Sequence, residues 1–166
     1  QTLRFDPLVA RLREAAARPE LGLLTGFAFE QRLEPRAVTW EDDPALAAGG
    51  VLMQTGIHVI DALRFVTGAP EMEALDGFRD RIRYRRLEDA ATVVLRLRGG
   101  RAGPGAATGT VATSKLGRSR HHRLALYFED GGLEADLIDR RLWVTQGRER
   151  RSESVAPAPT VARSLE

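Results

Sequence analysis

The sequence predicts an α+β domain: an open, mainly antiparallel sheet of about six to eight strands with helices packed on one face. Two observations predict it. Residues 1–70 carry two helical patterns around one extended segment, whereas residues 71–150 carry short alternating stretches separated by turn signals. Helices gathered in one half and strands in the other indicate segregated packing rather than a parallel βαβ array. At 166 residues the chain suits one domain of ordinary size with a real core.

The elements follow in order. Asp6-Pro7 before Leu8, Val9 and Leu12 reads as an N-capped amphipathic helix that ends near Pro19. Residues 21–31 alternate through Leu23, Leu24, Phe27 and Phe29 as a strand, and a polar, proline-bearing loop over 33–48 follows. The next helix opens at Gly49-Gly50 and stops at Gly68 and Pro70. Residues 72–85 form an irregular extended segment. Strands are predicted over 90–97, 108–114, 123–129, 133–138 and 142–145, with Asp130-Gly131-Gly132 as a tight turn that uses glycine's tolerance of positive φ. From Glu153 onward the chain reads as tail. Gln1 at the start and Leu165-Glu166 at the end, a pair left by a common cloning site, read as the ends of an excised domain.

Composition narrows the function classes. A charged fraction of 29% and an apolar fraction of 43% are those of a soluble globular protein, and no apolar run is seen to approach the ~20 residues that span a bilayer. Membrane insertion is therefore not expected. The net charge of +2 gives nucleic-acid binding no support. Cysteine is absent, which removes disulfides and thiol nucleophiles and makes a cytoplasmic setting the default. Zinc would have to be built from three histidines and carboxylates, and no metal site is expected. One lysine, Lys115, stands against twenty-four arginines.

The helix after Gly49-Gly50 carries Gln54, His58 and Asp61 at offsets of four and seven, near one face of an otherwise apolar segment. A lone histidine on an apolar helix is more often structural than functional; the spacing with Gln54 raises the functional reading. Gly49 and Gly50 would let backbone come close to a ligand. Gly56 costs about 1 kcal/mol of helix propensity relative to alanine, so close approach of a cofactor or a strand must favour its smallness. The run from Gly103 to Gly109 is no phosphate loop: Thr108 stands where a third glycine belongs, and a strand follows instead of a helix. Trp40-Glu41-Asp42-Asp43 suits helix capping first, and polyol binding through indole stacking and carboxylate acceptors second. His121 and His122 point to opposite faces of a strand, which bars a shared metal; a solvated basic edge is expected, with one of the pair, His122, within reach of substrate.

The run from Gly49 to Asp61, with Leu63-Arg64-Phe65 and Gly68 behind it, resembles the hallmark of the Gfo/Idh/MocA family of NAD(P)-dependent sugar and polyol dehydrogenases. The resemblance covers the chain as the family's C-terminal substrate domain, of the kind found in glyceraldehyde-3-phosphate dehydrogenase. It implies that NAD or NADP is held mainly by a preceding Rossmann domain, with none bound by this chain alone. It also implies a sugar or polyol substrate and a homodimer or larger homo-oligomer through the sheet face. Position by position, His58 matches the histidine that contacts the reacting hydroxyl, and Gln54 stands where many members have an aspartate. The candidate site is thus His58 and Gln54 for catalysis, Trp40, Asp43 and His122 for substrate, and Gly49 and Gly50 for cofactor. Lys115 does not match the family's Glu-Lys-Pro lysine.

Overall fold

A computed structural model describes residues 2–36, 39–69 and 71–157. Eight strands form one mixed sheet in the order β2-β3-β4-β1-β5-β6-β7-β8. Their ranges are β1 Leu24–Arg32, β2 Glu71–Asp80, β3 Ala90–Arg98, β4 Ala106–Ser114, β5 His121–Phe128, β6 Gly131–Asp136, β7 Arg141–Gln146 and β8 Glu149–Ser154. All neighbours are antiparallel except β1 and β4, which run parallel with Phe27 opposite Gly109 and Gln31 opposite Thr113. β1 therefore divides the meander in two, as a central strand with β4 on one side and β5 on the other.

Helix α1, Pro7–Ala16, begins where the Asp6 carboxylate accepts the Leu8 N–H at 2.8 Å and Pro7 fills the first turn. Arg140, itself at φ 56°, donates to both Asp6 oxygens and so ties the β6–β7 turn to the helix start. Leu8, Val9 and Leu12 of α1 join Val59, Leu63 and Val66 of helix α3, Ile57–Thr67, over Phe27, Phe29, Leu97, Val111, Leu124 and Leu126 of the sheet. That face is the core. The opposite face carries exposed Tyr127 and Phe78 and has no covering layer among the described residues.

Four differences from the sequence reading have physical causes. Residues 149–152, given no element by the sequence, and the first residues of the expected tail form edge strand β8: Glu149 to Ser154 are polar or charged throughout and mostly exposed, so they show no apolar alternation, and pairing with β7 alone defines the strand. Gly131 and Gly132 lie inside β6, not in a positive-φ turn, and a Cβ on Gly131 would stand 2.4 Å from the Thr145 carbonyl. The histidine pair lies on β5, in mid-sheet, where a solvated edge was expected. Finally, the helical run Pro44–Thr67 is by length and composition apolar enough to span a bilayer, contrary to the sequence reading. It is broken at Ala48, φ 55°, and Gly49, φ 143°, and buries Val59, Ala62, Leu63 and Val66 in the domain core.

Candidate functional site

Between the short helix α2, Pro44–Ala47, and α3 the chain turns through Gly49-Gly50 and enters a π-helical segment, Leu52–Gly56. The Ile57 N–H reaches back five residues to the Leu52 carbonyl. The cause is packing on the sheet. Gly56 lies against Thr113, where a Cβ would come within 3.2 Å of the threonine methyl, and Thr55 shares a 2.8 Å hydrogen bond with the Thr113 hydroxyl. Of the two reasons open for the smallness of Gly56, approach of a strand is the one observed.

Gln54 is engaged at both ends of its amide. Its Nε2 donates to the carbonyls of Glu41, at 3.0 Å, and Gly49, at 2.8 Å, and its Oε1 accepts from Lys115 Nζ. Lys115 in turn lies 2.9 Å from Glu41 Oε1, with side-chain exposures of 5% and 2% for the pair. Tyr84 closes the cluster by donating its hydroxyl to Glu41 Oε2 at 2.6 Å. Two aspartates build the loop that delivers Tyr84. Asp89 accepts the N–H groups of Ile82, Arg83 and Tyr84, and Asp42 accepts those of Arg85, Arg86 and Leu87.

Burial alone would push the Glu41 carboxyl up. The hydrogen bonds from Tyr84 and Lys115, and the lysine's charge, outweigh it and hold the group below the usual carboxylate range. Burial and the bond to Glu41 push the Tyr84 phenol up. The cluster is thus an ammonium, a carboxylate, a neutral phenol and an amide, closed on itself.

His58 lies just past the π segment, half-buried, with Nδ1 buried and without a protein partner. In the same helical run Met53 and Ile57 are exposed, and Trp40 is 45% exposed on the segment that Gln54 clips to the helix. Asp43 serves as the cap of α2, accepting the Ala45 N–H at 2.9 Å. Asp61 accepts Arg4 Nε at 2.7 Å and anchors the N-terminal turn. Beside the two glycines the chain packs closely on itself. A Cβ on Gly50 would stand 2.2 Å from the Glu88 carboxyl carbon, and one on Gly49 would stand 2.7 Å from Met53 Cγ, so the chain itself fills the space beside each. Among the described residues no group of three or more histidines and carboxylates is gathered at metal-ligand distance.

The structure thus brings Gln54, Trp40, Gly49 and Gly50 to the start of the helical run that bears His58. His122 faces the core side of β5, opposite Gln31, with Nε2 buried and without a partner, while His121 turns to the other face and meets Glu30 at 3.1 Å. Burial lowers the His122 pKa to about 4. Folding therefore loses stability as pH falls from the unfolded value near 6.5 through 4, because the unfolded chain takes the proton first. Between pH 7 and pH 5 urea unfolding should show a loss of about 2 kcal/mol that His122→Leu abolishes; an equal pH dependence in the variant would refute it.

Sequence reasoning named Glu41 among the acids of the 40–43 cluster and noted Lys115 as the single lysine, but it missed Tyr84 and the pairing of all three. The one signal was the presence of a single lysine in an arginine-rich chain, at the end of a strand.

The sequence model of the GFO/IDH/MocA C-terminal domain matches residues 9–134. Comparison with curated proteins finds no match. Among solved structures, an oxidoreductase from Sinorhizobium meliloti is 25% identical, with a TM-score of 0.73 over 92% of this chain and 41% of that one. An inositol dehydrogenase homolog with NAD+ from Azotobacter vinelandii is 20% identical, at TM-score 0.74 over 92% and 43%. Levoglucosan dehydrogenase with NADH and levoglucosan is 18% identical, at TM-score 0.77 over 90% and 44%. The latter two likenesses concern the fold. The chain spans less than half the length of each of these proteins.

Proposed function

The chain belongs to the Gfo/Idh/MocA family, and from that membership we propose that it is the substrate-binding and oligomerisation domain of an NAD(P)-dependent dehydrogenase acting on a sugar, cyclitol or related polyol hydroxyl. The observation that carries the reading is His58, a half-buried imidazole whose buried Nδ1 has no protein partner, on the helical run that also exposes Met53 and Ile57 and to which Gln54 clips the Trp40 segment. Similar folds in proteins described with levoglucosan or as an inositol dehydrogenase homolog support the substrate class.

A neutral imidazole offers one N–H and one lone pair, so His58 can hold a substrate hydroxyl and share its proton. Gln54 has no basic atom; with its amide held by Glu41, Gly49 and Lys115, it orients the site by fixing the segments around His58. Trp40 offers a stacking face, Asp43 the carboxylate oxygen not used in its cap, and His122 a neutral ring set further back on the sheet. The nicotinamide would supply the hydride acceptor. The cofactor is assigned to a separate nucleotide-binding domain, in keeping with the family membership.

The purified chain should therefore reduce no NAD+ or NADP+ with inositol or levoglucosan, whereas the chain joined to its nucleotide-binding domain should, and His58→Ala should slow that turnover by roughly 100-fold or more. Turnover by the chain alone would contradict the assignment. The open sheet face is assigned to self-association, and light scattering should give a dimer or larger; a clean monomer would remove that part.

A second reading rests on Gln54. With both ends of its amide held by the protein and no carboxylate at that position, the chain also suits a non-catalytic sugar-binding or assembly subunit of the same family. Binding of polyol without turnover in the joined protein would select it.

A further inference from the structure

Lys115 has no solvent to answer to. Its ammonium, on the chain's only lysine, is bounded by the Glu41 carboxylate and the Gln54 amide oxygen. An amide at position 54 meets two opposite demands there. Its oxygen faces a cation, and its NH2 faces the carbonyls of Glu41 and Gly49. A carboxylate would set an oxygen against those two carbonyls and add a second negative charge to a buried pair that is already neutral. The amide orientation is therefore fixed from both ends, by Lys115 at the oxygen and by the two carbonyls at the NH2. The NH2 bonds in turn clip the Thr39–Asp42 turn, with Trp40, and the glycine turn onto the helical run that carries His58.

We infer that Lys115 is a positioning residue of the His58 site: it fixes the Gln54 amide, and through it the Trp40 segment and the glycine turn, without touching substrate. The functional half of this inference rests on the substrate site proposed above, and the structural half stands apart from it. The role of the ammonium is to hold the amide while paired with Glu41. No proton moves through it.

The test uses Lys115→Met, which keeps the length of the side chain and removes the charge. The Gln54 side-chain NH2 should exchange its hydrogens at least roughly tenfold faster in the variant, because nothing then holds the amide oxygen. Inositol or levoglucosan affinity, read from the His58 ring resonances, should fall on the order of tenfold as the Trp40 segment gains freedom. Unchanged Gln54 exchange would show that Lys115 only fills space, and would overturn the inference. Faster exchange with unchanged polyol affinity would overturn its functional half. Absence of any polyol response in the parent chain would instead sink the proposed function and leave the amide result standing. Should the variant fail to fold, the parent chain labelled with 15N at lysine Nζ decides: one slowly exchanging ammonium signal with a nuclear Overhauser contact to the Gln54 NH2 is expected, and a fast-exchanging amine with no such contact would overturn it.

Discussion

Lys115→Met and Glu41→Leu should each lower the stability of the domain by about 3 to 5 kcal/mol, because each leaves the partner's charge buried without compensation. With side-chain exposures of 5% and 2%, neither group can turn to water. The double variant should cost far less than the sum of the two, since the remaining pair of apolar side chains leaves no orphaned charge. Tyr84 keeps part of the penalty, having lost the acceptor for its hydroxyl. Urea unfolding of the four proteins measures the coupling. Additive losses would mean that the two side chains do not act as a pair.

The second large effect is expected at Gly109. This residue sits in β4 directly opposite Phe27 of β1, and a Cβ there would lie 2.0 Å from the Phe27 carbonyl oxygen and 2.7 Å from its ring. The obstacle is backbone on the parallel partner strand, so relief requires prying β1 from β4 at the centre of the sheet. Gly109→Ala should therefore cost roughly 3 kcal/mol or more. Gly105→Ala is the control: its nearest atom would be the Ala102 carbonyl at 3.7 Å, and its effect should stay within about 0.5 kcal/mol. Similar melting curves for the two variants would refute the packing account.

Periodicity and punctuation made most of the fold legible. Asp6-Pro7 announced α1, the alternation through Phe27 and Phe29 announced β1, and Gly68 ended α3 at φ 63° as a helix C-cap should. These are local signals, and the residues that carry them act within a few positions of themselves. The failures have the opposite character. The acids at 41–43 suited helix capping, which describes Asp43; Glu41 faces a lysine 74 positions away, and Asp42 caps a loop more than 40 positions away. Pairings of that kind follow from which strand lies beside which, and β1 standing between β4 and β5 has no counterpart in spacing. His58 was visible only through its motif, whereas its unpartnered ring nitrogen required coordinates.

On the proposed function, His58 receives the hydroxyl of a sugar or polyol. The most direct measurement is a titration of the 15N-histidine-labelled chain with inositol or levoglucosan, since its three imidazoles, His58, His121 and His122, differ in setting. The predicted result is a saturable shift of the His58 ring nitrogens, abolished by excess of neither salt nor a non-hydroxylated analogue, with His121 unmoved. A His58 signal that stays still while polyol reaches saturating concentrations, or one that moves no more than His121, would contradict the claim.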